Sequence, residues 1–194
     1  TTVASFEGSE GRNGWYVSSV GVTLSATDNC LVERTEISLD GNNWSDCASP
    51  FNITDDGEHD LRYRSIDAQG NAEGTRSAGI SIDITAPSVH IDSIADGSTM
   101  SSGDYTLTWT SSDAVSGVSG HKVRLDGGDW SDVIVGNQLQ LSGLAGGHHT
   151  VEVLAIDEAD NTNVTSVGFT VEAEEYPLLL ILAAVIVLCA IIGL

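Results

Sequence analysis

The stretches Glu36–Asp46, EISLDGNNWSD, and Lys122–Asp132, KVRLDGGDWSD, are one motif written twice, and their reading decides the fold. Each begins as an alternating apolar–polar run, turns at Asp40-Gly41 or Asp126-Gly127, and continues to a tryptophan, Trp44 or Trp130. A period of two marks a strand with one buried face. Asp-Gly between two such runs is a hairpin signal, because glycine and aspartate tolerate the positive φ of a tight turn. The flanking strings DGEHDLRYRSIDAQGN (Asp56–Asn71) and LAGGHHTVEVLAIDEADN (Leu144–Asn161) extend the match. The offset is 86 between Asp40 and Asp126 and 90 between Asp67 and Asp157, so the second copy carries a few extra residues, expected around Val133–Leu141. Two copies of a unit of roughly 85 residues therefore organise the chain.

Working outward, the same alternation recurs in VTLSA (22–26), LRYRSI (61–66), ISIDI (80–84), YTLTWT (105–110), VEVLAI (151–156) and VGFTV (167–171). No stretch before residue 174 has sustained helical periodicity. About seven short strands per unit, separated by turn signals, describe an immunoglobulin-like β-sandwich. The expected architecture is all-β, with two tandem immunoglobulin-like β-sandwiches at 1–87 and 88–173, followed by a single transmembrane helix at 174–194. Trp109 is expected in the core. Trp44 and Trp130 are read as caps on a core edge in preference to exposed contacts. Pro87 fixes its own φ and biases Ala86 to an extended conformation. The link between units is thus short and stiff, which favours end-to-end stacking.

The chain ends on LLLILAAVIVLCAIIGL, residues 178–194, without a charge. From Pro177 to Leu194 a helix would span roughly 27 Å at about 1.5 Å per residue, close to the apolar thickness of a bilayer. Pro177 suits a first helical turn, Tyr176 suits the membrane interface, and Glu172, Glu174 and Glu175 form an aqueous flank. The anchor is therefore read as Tyr176, Pro177, Leu178 and onward to Leu194, with the acidic N-terminal side outside the cell. The competing reading is a hydrophobic helix buried in a water-soluble assembly. Ala183, Ala184, Ala190 and Gly193 are small enough to pack such a helix against copies of itself.

Charge sorts the function classes. The chain has 28 acidic residues against 7 basic ones, a net charge of −21, all of it before the terminal hydrophobic run. A nucleic-acid binder needs cations near phosphates, so that class is excluded, and so is attachment to anionic lipid through basic residues. A strongly acidic, lysine-poor surface keeps a protein hydrated and apart from its copies, a device used in high salt.

The strings GRNGWYVSSVGVTLSATDN (11–29), ISLDGNNW (37–44), PFNITDDGEHDLRYRSIDAQGN (50–71) and IDITAPSV (82–89) carry a family likeness. Together they resemble the bacterial and archaeal Ig-like repeats of surface and secreted proteins, the OmpL47-type β-sandwich repeat in particular. The likeness covers residues 1–87 well and 88–173 more loosely. It implies the fold and a place on adhesins, S-layer-associated proteins or the stalks of extracellular hydrolases. The family's link between repeats, of the form D-x-T-A-P-T, stands here as DITAPS. Thr1-Thr2-Val3 resembles the residues directly after such a proline, which makes residue 1 the expected start of a repeat within a longer protein.

Few motifs carry chemistry. Cys30 and Cys47 lie 17 residues apart in the first unit and are expected to form a disulfide in an exported domain. A hairpin centred on Gly41-Asn42 would set Cys47 opposite Glu36, so the bridge requires the chain to fold back after Trp44. Cys189 falls in the terminal segment as a small apolar residue. Asn43, Asn52 and Asn163 head N-x-[ST] sequons and are glycosylation candidates, the competing reading being turn-forming asparagine. No motif indicates a cofactor, and Ca²⁺ is the one candidate ion. Its oxygen ligands would come from Asp28, Asp67 and Asn71 in the first unit and Asp113, Asp157 and Asn161 in the second. The preferred reading of the same residues is as Asx side chains closing turns on their own backbone. His148 and His149 point to opposite faces of a strand and do not share an ion. His59 and His148 are taken as equivalent positions. No catalytic signature is present.

The expected function is a non-catalytic, cell-surface, membrane-anchored stalk or adhesion module. Its partners would be the membrane, other envelope or surface proteins, or copies of itself, and no nucleic acid. The alternatives are a structural subunit of an S-layer or filament, or the C-terminal stalk of a larger extracellular hydrolase.

Overall fold

The computed structural model describes residues 1–47 and 49–173, and every regular element among them is a strand. The alternating runs become β1 (Thr2–Glu7), β2 (Trp15–Tyr16), β3 (Val20–Ala26), β4 (Val32–Ser38), β5 (Ser45–Asp46), β6 (Phe51–Ile53), β7 (Gly57–Asp67) and β8 (Arg76–Ile82). The second copy gives β9 (Ser88–Ile91), β10 (Ser98–Met100), β11 (Tyr105–Ser112), β12 (Val118–Leu125), β13 (Gln138–Leu141), β14 (Gly147–Asp157) and β15 (Thr162–Val171). The expected anchor at 174–194 lies outside the described residues. Among the described residues no helix is long and apolar enough to cross a membrane.

Each copy is two sheets face to face. In the first, β1-β3-β6 opposes β2-β8-β7-β4-β5; in the second, β13-β11-β9 opposes β10-β15-β14-β12. Most neighbours are antiparallel. The exception recurs in both copies: the short β2 pairs parallel with β8, and β10 pairs parallel with β15. Strands that are not consecutive in sequence lie side by side, which is the immunoglobulin-like arrangement the repeat pattern implied.

Alternation decides what fills the space between the sheets. Val20, Val22 and Leu24 of β3 point inward with Leu61 and Tyr63 of β7 and Ile80 and Ile82 of β8. In the second copy Leu107 and Trp109 of β11 meet Val151 and Val153 of β14 and Phe169 and Val171 of β15. Trp109 is fully buried, as its place on an alternating strand required. The two apolar clusters share no residue, so each copy has its own core.

Registers show where the extra residues of the second copy went. Val20 pairs with Ile53, and Tyr105 with Leu141, an offset of 88 between Ile53 and Leu141. Two residues therefore precede β13's last position, and two more enter between β13 and β14, whose first residue Gly147 answers Gly57 at an offset of 90. The expected site of insertion holds only half of them. The same offset corrects the histidine equivalence. His59 Nε2 meets the Asp55 carbonyl, and His149 Nε2 meets the Ala145 carbonyl, each four residues back, so His59 answers His149 and not His148.

Trp44 and Trp130 are half-buried, and each lies under an arginine. The Arg64 guanidinium stands 4.3 Å from the Trp44 ring centre and that of Arg124 stands 4.5 Å from Trp130. Arg64 also reaches Glu36 through two N–H groups, and Arg124 reaches Glu152 likewise. A Trp–Arg–Glu stack thus covers the outer face of the same sheet in both copies. It is built from different strand positions each time, since Arg64 sits on β7 and Arg124 on β12.

Candidate functional site

Three aspartates meet where the copies join. Asp83 directly follows β8, Asp113 directly follows β11, and Asp157 ends β14. One carboxylate oxygen from each lies within 4.8 Å of the others. Asp83 and Asp157 are fully buried. β8 stops at Ile82, short of the expected Ile84, because Asp83 leaves the ladder. Its N–H donates to the Tyr16 carbonyl, while its carboxylate accepts the N–H groups of Thr85 at 3.1 Å and of Ser116 at 3.1 Å. Asp83 is thereby held by both copies at once.

Local turns fix the other two. Asp113 Oδ1 accepts the N–H groups of Val115 and Gly117 at 3.0 and 2.9 Å, closing an Asx turn over Gly117, whose φ of 88° suits glycine. Asp157 accepts the Asn161 backbone N–H at 2.8 Å on Oδ1 and the Asn161 amide at 2.9 Å on Oδ2. The Asn161 amide also donates to the Asp83 carbonyl at 2.9 Å, so this one side chain ties the Asp157 turn to the preceding copy.

The electrostatics are one-sided. None of the ion pairs among the described residues involves Asp83, Asp113 or Asp157. Burial pushes the Asp157 carboxyl above its ordinary range, the Asn161 hydrogen bonds oppose that, and the negative charge of Asp83 adds to it. Among the described residues, Asp113 Oδ2 and the Ser116 hydroxyl oxygen are each closed off from solvent with no hydrogen-bond partner.

Of the residues named from sequence, Asp113, Asp157 and Asn161 come together here. Sequence reasoning missed Asp83, although it heads the DITAPS string. A burial signal was absent: its neighbours Ile84 and Thr85 are exposed, and Asp83 is held by Tyr16 of its own copy and Ser116 of the next. Asp28, Asp67 and Asn71 occupy the matching positions of the first copy and line one shallow cleft with Thr1 and Glu73. Asp67 accepts the Asn71 N–H and amide, each at 2.9 Å, as Asp157 does with Asn161. Asp28 accepts the Cys30 N–H, as Asp113 does that of Val115. The Asx-turn geometry is therefore common to both copies. What differs is charge: the Asn71 hydrogen bonds hold Asp67 below the usual carboxylate range, whereas Asp157 is displaced upward.

The seam continues beside the cluster. The Arg12 N–H donates to the Ala159 carbonyl at 3.0 Å, and the Asn13 amide donates to the Glu158 carbonyl and carboxylate at 3.1 and 2.6 Å. Gly11 is needed for this approach, since a Cβ there would lie 2.2 Å from the Ala159 carbonyl oxygen.

The remaining sequence candidates sit elsewhere. Cys30 and Cys47 are free thiols, so the expected disulfide is not formed. The Cys47 N–H bonds the Thr35 carbonyl, five residues along the chain from Cys30. Cys30 Sγ instead faces Gln69, and Cys47 packs on the core of its copy. Among the sequons, Asn52 is exposed on β6, while the Asn43 amide donates to Asp40 at 2.6 Å and the Asn163 amide to the Pro87 carbonyl at 3.0 Å. The Ser111 hydroxyl lies 2.7 Å from His121 Nε2, but His121 Nδ1 has no partner, so the pair has no orienting carboxylate of the kind a nucleophilic triad uses.

Over 98 residues the chain is 36% identical to halomucin of Haloquadratum walsbyi; the match takes 47% of this chain and 1% of that much longer protein. Among solved structures it is similar to the fibronectin(III)-like modules of Clostridium thermocellum CbhA, with 15% identity over 90% of this chain and 98% of that one and a TM-score of 0.44. The D00–D0 domain of intimin is similar at 13% identity over 87% and 100% of the two chains, with a TM-score of 0.41. The PKD1 domain of Vibrio anguillarum Epp is similar over 46% of this chain and 98% of its own, at 20% identity and a TM-score of 0.37. No family model matches the chain.

Proposed function

We propose that this chain is a non-catalytic cell-surface module of the tandem prokaryotic Ig-like kind. Two β-sandwich units face the exterior, and a C-terminal helix, Tyr176–Leu194, anchors them in the membrane. The observation that carries this reading is the division of the chain into acidic strand repeats and a seventeen-residue run without charge, 178–194. Charge cannot enter a bilayer cheaply, and a run of that length and apolarity has little use in water. The likeness to halomucin over 98 residues supports a place among extended surface proteins. The units act as a spacer: they hold what they carry away from the membrane, and their acidic surface keeps them hydrated and mutually repelling.

Fractionation of cells producing the full chain tests this. The expected result is recovery with membranes, release by detergent but not by high salt, and digestion of residues 1–173 by protease added to intact cells. A chain that stays soluble without detergent, or whose strand units resist protease until cells are broken, would overturn it.

A further inference from the structure

We infer that a cleft at the seam between the two units binds an acidic sugar, a hexuronate with its carboxylate, hydroxyls and apolar ring face. Glu10 and Arg12 of the first unit and Lys122, Val133, Ile156 and Asp160 of the second line a space of about 490 Å³. Sites for small ligands run from about 300 to about 1,000 Å³. Charge singles this cleft out. Of the seven cations, Arg34, Arg62, Arg64 and Arg124 are held in side-chain ion pairs. Among the described residues Arg12, Arg76 and Lys122 are in none, and two of those three face the cleft. Glu10 and Asp160 are in none either. On a chain of net charge −21, two uncommitted cations on one cleft mark the place where an anion meets least repulsion.

Two departures between the copies build the second unit's share of this cleft. In the first unit Glu36 stands across the ladder from Arg64, and the two form an ion pair. The matching positions hold Lys122 and Leu154, and a leucine cannot bond an ammonium group. Lys122, the only lysine, is thereby left half-buried without a partner across the ladder. The second departure is Asp160. The turns at Asp67–Asn71 and Asp157–Asn161 share their backbone hydrogen bonds, with Gly70 at a φ of 86° answered by Asp160 at 80°. Glycine takes that conformation freely and aspartate does so at a cost, so a carboxylate is kept here against its backbone preference. Strain of this kind is retained where a side chain is used. Val133 completes the wall. It sits on the bare backbone of Gly120, where a Cβ would come within 2.6 Å of it, and the His121–Ile134 bonds hold its segment beside β12.

These groups fit one ligand chemistry. Arg12 and Lys122 donate charged N–H groups to a carboxylate, Glu10 and Asp160 accept from hydroxyls, and Val133 and Ile156 meet the apolar ring face. A small inorganic anion would use only the cations, and a neutral sugar would leave them unpaired. The cleft is complete only when the units are docked, because Arg12 arrives on the loop whose N–H bonds the Ala159 carbonyl.

The test uses the full chain in detergent at constant ionic strength. Sodium D-glucuronate is the probe, with D-glucose, sodium acetate and sodium L-glutamate beside it. Binding is read from NMR shifts of the Arg12, Lys122 and Asp160 amides. The expected result is one saturable site that takes glucuronate about tenfold or more tighter than any of the other three. Lys122→Gln and Arg12→Gln should each weaken glucuronate binding about tenfold, with the core amides of both units unmoved. Arg76→Gln, which removes the third uncommitted cation, should leave binding unchanged. Shifts that do not saturate, or binding that survives both Lys122→Gln and Arg12→Gln, would overturn the site. So would equal affinity for acetate or glutamate, which would show that charge alone is read. Equal losses from Arg76→Gln and Lys122→Gln would overturn it too, as attraction of an anion to any free cation.

Discussion

At the scale of single residues, the informative side chains are those whose partners set their charge. His149 offers both ring nitrogens to acceptors, Nδ1 to Asp126 at 2.7 Å and Nε2 to the Ala145 carbonyl at 2.8 Å. Only the imidazolium donates from both nitrogens. The Ala145 carbonyl, with Asp126, accordingly raises its pKa above the ordinary 6.5, and burial only partly opposes them. A raised value in the folded state means stability that is fully present below the unfolded pKa and lost as pH rises through the folded one. The second unit should therefore lose stability as pH rises from the ordinary histidine value of 6.5 through the raised folded-state value, and His149→Gln should flatten that part of the profile of Tm against pH. Identical slopes for the two proteins would contradict this role. Asp40 behaves in the opposite sense: the N–H groups of Asn43 and Asn42 close the turn on its carboxylate and hold that carboxyl far below the usual range.

At the scale of elements, strand positions were legible because alternation is a local property. Val20, Val22 and Leu24, or Leu107 and Trp109, declare their inward faces without reference to anything distant. Features that depend on distant partners were not legible. Cys30 and Cys47 suggest a staple only as long as the partners of the chain on either side of β4 are unknown, and the Arg64–Trp44 and Arg124–Trp130 stacks use strand positions that do not align between copies. The candidate site shows the same division. Its turn residues Asp113, Asp157 and Asn161 carried a local Asx signature, whereas Asp83 acquires its role only from contact with the next unit. That contact has a steric requirement at Gly11. Gly11→Ala would drive a methyl group against the Ala159 carbonyl, a backbone atom that cannot swing aside. Overpacking of this kind costs about 1–3 kcal/mol. The expected outcome is faster hydrogen exchange at the Arg12 amide, which bonds Ala159, with the core strands of each unit still protected. Unchanged exchange at Arg12 would show that the seam does not depend on the glycine.

At the scale of the whole molecule, the net charge of −21 acts on stability as well as solubility. Several of the few cations are already committed, Arg34, Arg62, Arg64 and Arg124 among them, so little remains to offset repulsion between acidic groups. Repulsion between exposed charges is screened as the Debye length falls from about 10 Å at 0.1 M salt to about 3 Å at 1 M. Tm should rise steadily over that range, in NaCl as in KCl, and a flat profile would show that the acidic surface is energetically neutral. Screening lowers the cost of the acidic skin, but it acts much less on the carboxylates shielded from solvent at the junction. At that junction the Asp83 carboxylate of the first unit accepts the Ser116 N–H of the second, so the repeat-to-repeat contact runs through one side chain. Amide hydrogen exchange followed by NMR, with Asp83→Ala beside the unsubstituted chain, tests this most directly. The substitution should speed exchange at Thr85 in the linker and at Ser116 in the second unit together, leaving the turn at Asp67–Asn71 unchanged. Faster exchange spread evenly over the acidic surface, or no change at Thr85 and Ser116, would contradict it.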